Sequence, residues 1–298
     1  MYHKSVLLNE TIEGLITDSS GTYVDATFGG GGHSREVLNR LDEKGLLYSF
    51  DQDPDSLQNL IDDDRFTFIG QNFKYLKNFI KFYNADPVDG IMADLGVSSY
   101  QFDTAERGFS FRFDGPLDFR MNPQNSKNGD LVINEYSEEE LSDIFFQYGE
   151  LRNARQIARH IVKIRKTQGI NTTFELIEQL KSITPRNKEH KFLAQLFQAI
   201  RIEVNDELEV LKDFLLQSSD ILKSGGRLAV ITFHSLEDRI VKNFFKSGNF
   251  KGEIEKDFYG NPNVPFKLIN RKPITATEEE LEVNNRSRSA KLRVVEKI

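Results

Sequence analysis

Over the first hundred residues, short apolar runs alternate with segments whose apolar residues recur at helical spacing. Tyr23–Thr27, Leu46–Phe50, Phe66–Ile69 and Gly90–Leu95 read as strands. Ser34–Leu41, Asp55–Ile61 and Leu76–Phe82 read as helices, with Ser34 as the predicted N-cap of the first. Strictly alternating strand and helix signals predict a parallel, doubly wound α/β sheet. From about Arg107 the pattern breaks into a stretch rich in Phe, Arg and Gly, and helical periodicity then runs to about residue 222. Its last part is an amphipathic helix through Val204, Leu208, Leu211, Leu215 and Leu222. The strand rhythm resumes at Gly226–Phe233, and Lys291–Ile298 is a predicted last strand. The pattern therefore predicts an α/β core formed by residues 1–106 and 200–298. A helical domain over 107–199 is inserted between the fourth and fifth strands.

Composition narrows the classes. A chain of 298 residues with 38% hydrophobic content can bury a substantial core. No apolar run approaches the roughly 20 residues of a membrane helix, and the N-terminus lacks the layout of a signal peptide, so a cytoplasmic protein with no membrane partner is expected. With no cysteine, disulfides and thiolate chemistry are excluded. The five histidines are scattered at 3, 33, 160, 190 and 234, and no metal site is expected. A net charge of −7 argues against non-specific nucleic-acid binding. The charge is unevenly spread, however: residues 151–191 hold ten Lys or Arg against three acids, so the chain is electrically polarised.

The candidate chemistry begins at Asp25-Ala-Thr-Phe-Gly29-Gly-Gly31-Gly32-His33-Ser34, a strand end, a glycine turn and a helix start. Glycines let the backbone turn tightly and let a ligand approach without a Cβ in the way. The dinucleotide fingerprint Gly-x-Gly-x-x-Gly is only partly present, because Ser34 stands where the third glycine would pack helix against strand. The acidic-x-x-x-Gly-x-Gly pattern of S-adenosylmethionine (SAM) methyltransferases fits better, with Asp25, Gly29 and Gly31, although Thr27 replaces a common glycine. Asp51 ends the second strand-like run roughly 20 residues after the glycines, where a carboxylate can accept both ribose hydroxyl hydrogens. Asp94 ends the buried run Gly90-Ile-Met-Ala at the edge of the sheet where open α/β folds bind ligands. A nicotinamide-dependent oxidoreductase would also use Asp51 and the glycine turn. A non-catalytic RNA-binding assembly factor with a degenerate cofactor fold is the alternative from another class.

Further motifs are His3-x-x-Val6-Leu-Leu-x-Glu10, Phe50-Asp-Gln-Asp-Pro54, Asp94-Leu-Gly-Val-Ser98-Ser99-x-Gln101 and Glu106-Arg-Gly-Phe-Ser-Phe111. They continue with Asp114-Gly-Pro-Leu-Asp118-x-Arg120-Met121, Phe197-Gln-Ala-Ile-Arg201-x-x-Val-Asn205-x-Glu207-Leu208 and Phe233-His-Ser-Leu-Glu-Asp-Arg239. With the glycine turn, this set resembles one family over nearly the whole chain: the bacterial methyltransferases that modify the N4 amino group of a cytidine in the decoding region of 16S ribosomal RNA. Two positions depart from its pattern, Ser5 and Asn285, where proline is common. The resemblance implies a Rossmann-like class I SAM-dependent methyltransferase core, with SAM as cofactor and 16S rRNA or the small ribosomal subunit as partner. It implies that Gly31, Gly32 and His33 touch the methionine part of the cofactor, Asp51 its ribose and Phe73 the region of its adenine, with Asp94 and Gln101 completing the pocket. The oligomeric state stays open, a homodimer among the options.

A cytosine amino nitrogen is a poor nucleophile because its lone pair is delocalised into the ring, so acceptors must draw on its hydrogens and align it. The Asp-or-Asn-Pro-Pro-aromatic clamp of many amino methyltransferases is absent, and Asp94-Leu-Gly-Val stands in its place. Asp94, the backbone after it, Ser98, Ser99 and His234 are the candidate acceptors. His234 either lines the base pocket or is held structurally by Glu237 or Asp238. Arg107-Gly-Phe109-Ser-Phe111-Arg112-Phe113, with Phe119 and Arg120, interleaves aromatics with cations and suits an unstacked base, or else plugs a seam between domains. Arg152, Arg155, Arg159, Lys163 and Lys166 form one helical stripe, either a solvated face or a contact for an RNA backbone.

Overall fold

The computed structural model describes residues 5–298; His3 of the N-terminal motif lies outside them. Among the described residues, seven strands form one sheet: β1 (Thr22–Asp25), β2 (Leu46–Phe50), β3 (Phe66–Ile69), β4 (Val88–Asp94), β5 (Leu222–Thr232), β6 (Phe266–Leu268) and β7 (Lys291–Lys297). Their spatial order is β3-β2-β1-β4-β5-β7-β6. The first five run parallel, while β7 lies antiparallel to β5 and to β6. The order reverses between β1 and β4, which makes the carboxyl ends of these strands the crevice where such sheets bind ligands. Helix α1 (Leu8–Leu15) precedes β1, α2 (Gly32–Arg40) lies between β1 and β2, and α3 (Leu76–Phe82) between β3 and β4. The predicted helix at Asp55–Ile61 is a 3₁₀ helix, Pro54–Asn59.

The chain divides into two compact units, residues 1–96 with 208–298, and residues 97–207. In the first, strand side chains alternate between two cores, as a period of two requires. Val24, Phe50, Ile91, Ala93, Leu228 and Val230 join one core. Tyr23, Leu47, Met92, Ala229 and Ile231 join the other, which α1 and α2 complete with Ile12, Leu15, Val37 and Leu38. Both faces are thus covered, as parallel sheets require.

The second unit is wider than the 107–199 that the pattern predicts. It holds α4 (Ser99–Asp103), α5 (Gly129–Glu135), α6 (Glu138–Gln147), α7 (Ala154–Arg165), α8 (Thr173–Leu180) and α9 (Glu189–Asn205). The physical reason is packing: Phe102 before the expected start and Ile200 and Val204 beyond the expected end lie in the same core as Ile157, Leu176 and Phe197. The single amphipathic helix expected through Val204 and Leu222 is two helices, because Asp206 takes a left-handed conformation, φ 51°, that ends α9. Next comes α10 (Glu207–Ile221), whose Leu211, Phe214 and Leu215 enter the first unit's core; Leu222 already belongs to β5. The first unit closes with α11 (Ser235–Ser247) and α12 (Glu278–Val283). Among the described residues, no helix is long and apolar enough to cross a membrane.

Candidate active site

The glycine turn joins β1 to α2. Asp25 is fully buried at the tip of β1, where its Oδ1 accepts from the Thr27 amide at 3.0 Å and its Oδ2 from the Ser34 hydroxyl at 2.7 Å. Ser34 is therefore not the helix cap that its position suggests. The helix starts two residues earlier, with Gly31 as N-cap at φ 73°, and Ser34 lies inside its first turn, bonded to Asp25 and to Ser49 at 2.9 Å. A Cβ at Gly31 would sit 2.6 Å from Arg35 Nη1 and 3.0 Å from the Phe28 ring, while one at Gly30 would meet nothing within 4 Å. The first turn of α2 holds no acidic side chain, so its N-terminal amides suit an anion.

Asp51 lies one strand over, just beyond β2. Its Oδ2 accepts from the Gly29 amide at 2.7 Å and its Oδ1 from the Asp53 amide at 2.8 Å, so the carboxylate pins the glycine turn. Each oxygen keeps a lone pair for a further donor. Burial pushes its carboxyl up to about 6, against the two amide bonds and with a further push from Asp53 and Asp25. Phe73 opens the 3₁₀ turn after β3 and packs edge-on against Phe214 with centroids 5.2 Å apart. Asn72, which caps that turn, donates to the side chain of Gln52 at 2.9 Å and so ties the β2 and β3 tips together.

Asp94 ends β4, its amide donating to the Thr27 hydroxyl at 2.7 Å. His33 stands beside it, Nδ1 being 3.8 Å from Asp94 Oδ2, while His33 Nε2 lies 3.0 Å from the Val6 carbonyl. A carbonyl only accepts, so Nε2 carries the proton and neutral His33 turns a bare Nδ1 toward Asp94. Burial pushes the His33 imidazole down, which keeps it neutral. Asp94 Oδ1 is shielded from solvent and has no hydrogen-bond partner among the described residues. Burial first, then the charges of Asp25, Glu237 and Glu280, hold its carboxyl well above the usual carboxylate range.

His234 follows β5, the strand paired with β4 in the register Asp94 to Ile231. It is the N-cap of α11, in a capping box with Glu237: its Nδ1 accepts from the Glu237 amide at 3.4 Å and Glu237 Oε2 accepts from the Phe233 amide at 2.8 Å. Asp238, the other expected partner, is paired with Arg293 at 2.8 Å instead. The ring's other nitrogen, Nε2, is buried without an aligned hydrogen bond, although Glu237 Oε1 lies 3.2 Å away. Thus Asp94 and His234, at the ends of adjacent strands, each present one unsatisfied buried polar atom.

Ser98, Ser99 and Gln101 belong to the second unit. Ser98 Oγ accepts from the Gln101 amide at 3.1 Å and Gln101 Oε1 accepts from the Ser98 amide at 3.0 Å, a reciprocal cap on α4. Ser99 opens that helix, half-buried. The aromatic stretch that follows is largely core: Phe109 and Phe119 are buried, Phe111 packs edge-on with Phe197, and Arg107 donates to the Arg120 and Met121 carbonyls. Arg112 and Phe113 stay exposed. On α7 the buried face is Ala154, Ile157, Ala158 and Ile161, and Arg155, Arg159 and Lys163 are exposed opposite it, flanked by exposed Arg152 and Lys166. Among the described residues, Arg159 of this stripe pairs with a carboxylate, Glu138 at 3.3 Å, and that pair is itself exposed. Arg152 also lines a cavity of about 360 Å³ with Lys188, Lys191 and Glu150.

The model of the MraW methylase family matches residues 1–298. The chain belongs to the MraW methylase family. A ribosomal RNA small subunit methyltransferase H of Flavobacterium johnsoniae is 56% identical over 297 residues, covering 100% of this chain and 98% of the relative. Its counterpart in Parabacteroides distasonis is 54% identical over 298 residues, with 100% and 98% covered. Among solved structures, an rRNA methylase of Streptococcus thermophilus aligns with a TM-score of 0.39 and 13% identity over 97% of this chain and 93% of that one, a distant likeness that adds nothing to the assignment. Membership in the methylase family sets aside both the oxidoreductase and the non-catalytic factor. Sequence reasoning missed Glu280 of this methylase, whose Oε1 accepts from the Leu7 amide at 2.9 Å and whose charge bears on Asp94. The only local signal was Thr277, which caps α12 three residues before Glu280.

Proposed function

We propose that the chain methylates the N4 amino group of a cytidine in the decoding region of 16S rRNA, with SAM as methyl donor and in the cytoplasm. The observation that carries this reading is Asp94 Oδ1, a buried acceptor with no partner among the described residues at the carboxyl end of β4. Bound SAM supplies an electrophilic methyl group on a sulfonium. The residues fit such a cofactor: the Gly31 N–H is taken by the Phe28 carbonyl at 2.7 Å, the Gly32 and His33 amides at the start of α2 would meet the anionic end of a methionine part, and a Cβ at Gly31 would strike its own neighbours. Asp51 keeps acceptor capacity for two ribose hydroxyls, and Phe73, packed on Phe214, is the residue assigned to adenine.

The acceptor nitrogen must be held with its lone pair out of conjugation. Asp94 Oδ1 accepts one amino hydrogen, which localises the lone pair on nitrogen. His234 Nε2 carries a proton when Nδ1 accepts the Glu237 amide, so it donates to an acceptor on the ring edge of the base. As the nitrogen gains a methyl group it loses one hydrogen as a proton, and Asp94, with its raised proton affinity and the bare His33 Nδ1 beside it, receives it. Ser98 is committed to the cap of α4, so Ser99 and the backbone after Leu95 are the remaining polar contributors. The exposed cations on α7 are assigned to the RNA backbone. The test is methyl transfer from labelled SAM to small subunits, free rRNA and DNA, followed by nucleoside analysis. N4-methylcytidine in rRNA is the expected product, and label in any other nucleoside overturns the reading.

A further inference from the structure

The segment between α11 and β6 carries two of the most exposed aromatic side chains among the described residues. Phe258 is 97% exposed and Tyr259 86%, and their rings meet edge to face with centroids 5.5 Å apart. They are held in place by a built turn. Gly260 N–H donates to the Asp257 carbonyl at 3.0 Å, and Asp257 Oδ1 accepts from the amides of Tyr259 and Asn261, each at 2.8 Å. Below the turn Lys256 pairs with Pro262, and Asn263 N–H donates to the Glu255 carbonyl at 2.8 Å. The base is tied at both ends, by Asn249 Nδ2 to the Glu253 carbonyl at 2.7 Å and by buried Phe266 in β6. A hairpin this well bonded, with two rings at its tip and mostly polar residues along its arms, presents the rings in a fixed arrangement.

We propose that Phe258 and Tyr259 form a stacking tip for unpaired bases of the RNA substrate. The inference rests on the rRNA reading above. Size decides against a folded protein as occupant: two aromatic side chains bury about 150–250 Å² each, well short of the roughly 800 Å² per partner of a stable interface. Among their neighbours on the hairpin, Glu255, Lys256, Asp257, Asn261 and Asn263 are exposed and polar, and Ile254, 40% exposed, and Pro262 add little apolar surface. Unpaired bases need no more than such a tip, because every base offers a π face and one ring serves one base. Exposed Lys251 and Lys256 on the same segment supply cations for the adjoining phosphates.

The chain contains no tryptophan, so Tyr259→Trp introduces a single emission reporter at the tip. Titration with small-subunit RNA is expected to quench it. Phe258→Ala combined with Tyr259→Ala, on a solvent-exposed turn, is expected to leave SAM affinity unchanged. RNA affinity should fall by about tenfold to a hundredfold, with no change in its salt dependence, since stacking releases no counterions. Wild-type RNA affinity in the double variant, or unchanged emission at saturating RNA, overturns the proposal. So does emission that shifts with protein concentration alone, which would mean that a second copy covers the rings. Quenching by RNA in a protein that transfers no methyl group to RNA would keep the tip and overturn the rRNA methylation reading instead.

Discussion

Asp51 and Asp94 are both raised above the usual carboxylate range, and the acceptor role assigned to each requires the ionised form. Asp51 must be ionised to accept two ribose hydroxyls, and its carboxyl is pushed up to about 6. SAM affinity is therefore expected to weaken as pH falls through that value, which calorimetry between about pH 5 and 8 would show. The sign for folding is reversed: an acid whose folded pKa is raised binds more protons when folded, so its contribution to stability declines as pH rises from the ordinary range of about 4 toward 6. Asp51→Ala removes the pH step and should weaken SAM binding by roughly 1.5–3 kcal/mol, the range for hydrogen bonds to a charged group. Asp94→Asn keeps the shape but turns half of a pure acceptor into a donor. Its turnover number should fall by about 10² to 10³ with a smaller change in SAM affinity, as when a preorganised electrostatic partner is lost. A loss confined to SAM binding, measured as Kd against kcat, would reduce Asp94 to a cofactor contact.

At the scale of elements, the early strands and helices were legible because each carries its period over a short, locally determined span. Ser34 was misread for a physical reason. A small hydroxyl residue before an apolar run is the usual mark of a cap, but here Gly31 takes the left-handed cap position and a buried carboxylate claims the hydroxyl. The capping boxes at Ser98 and His234 likewise occupy atoms that a sequence leaves open for chemistry. The glycine turn gives a direct test. Gly31→Ala would place a side chain at φ 73° and bring it against Arg35 and Phe28. It should destabilise the chain by about 1–3 kcal/mol, the cost of a residue forced into a sparsely populated conformation. A shifted denaturation midpoint together with weakened SAM binding is expected. An unchanged midpoint would show that the turn relaxes.

Across the whole molecule, the second compact unit reaches beyond the helical stretch that periodicity marks, because Phe102, Ile200 and Val204 join its core through packing that no local pattern records. The same holds for Glu280, whose effect on Asp94 spans most of the chain length. Charge, by contrast, was legible, since ionisable side chains mostly stay at the surface whatever the fold. The chain is acidic overall at −7, yet Arg152, Arg155, Arg159, Lys163 and Lys166 stay exposed along one face of α7 and its flanks. Such an arrangement suppresses indiscriminate binding while leaving one cationic track. If five cations each meet a phosphate of a single strand, log K should fall against log salt with a slope of about −3 to −4. Reversing Arg155, Arg159 and Lys163 to Glu removes three of those contacts, so RNA affinity and methylation should drop and the slope should become shallower by about 2. SAM affinity should stay at the wild-type value, because the cofactor residues assigned here lie elsewhere in the chain. An unchanged salt slope, with normal methylation at moderate salt, would mean that the stripe is a solvated face and that the RNA backbone is held elsewhere.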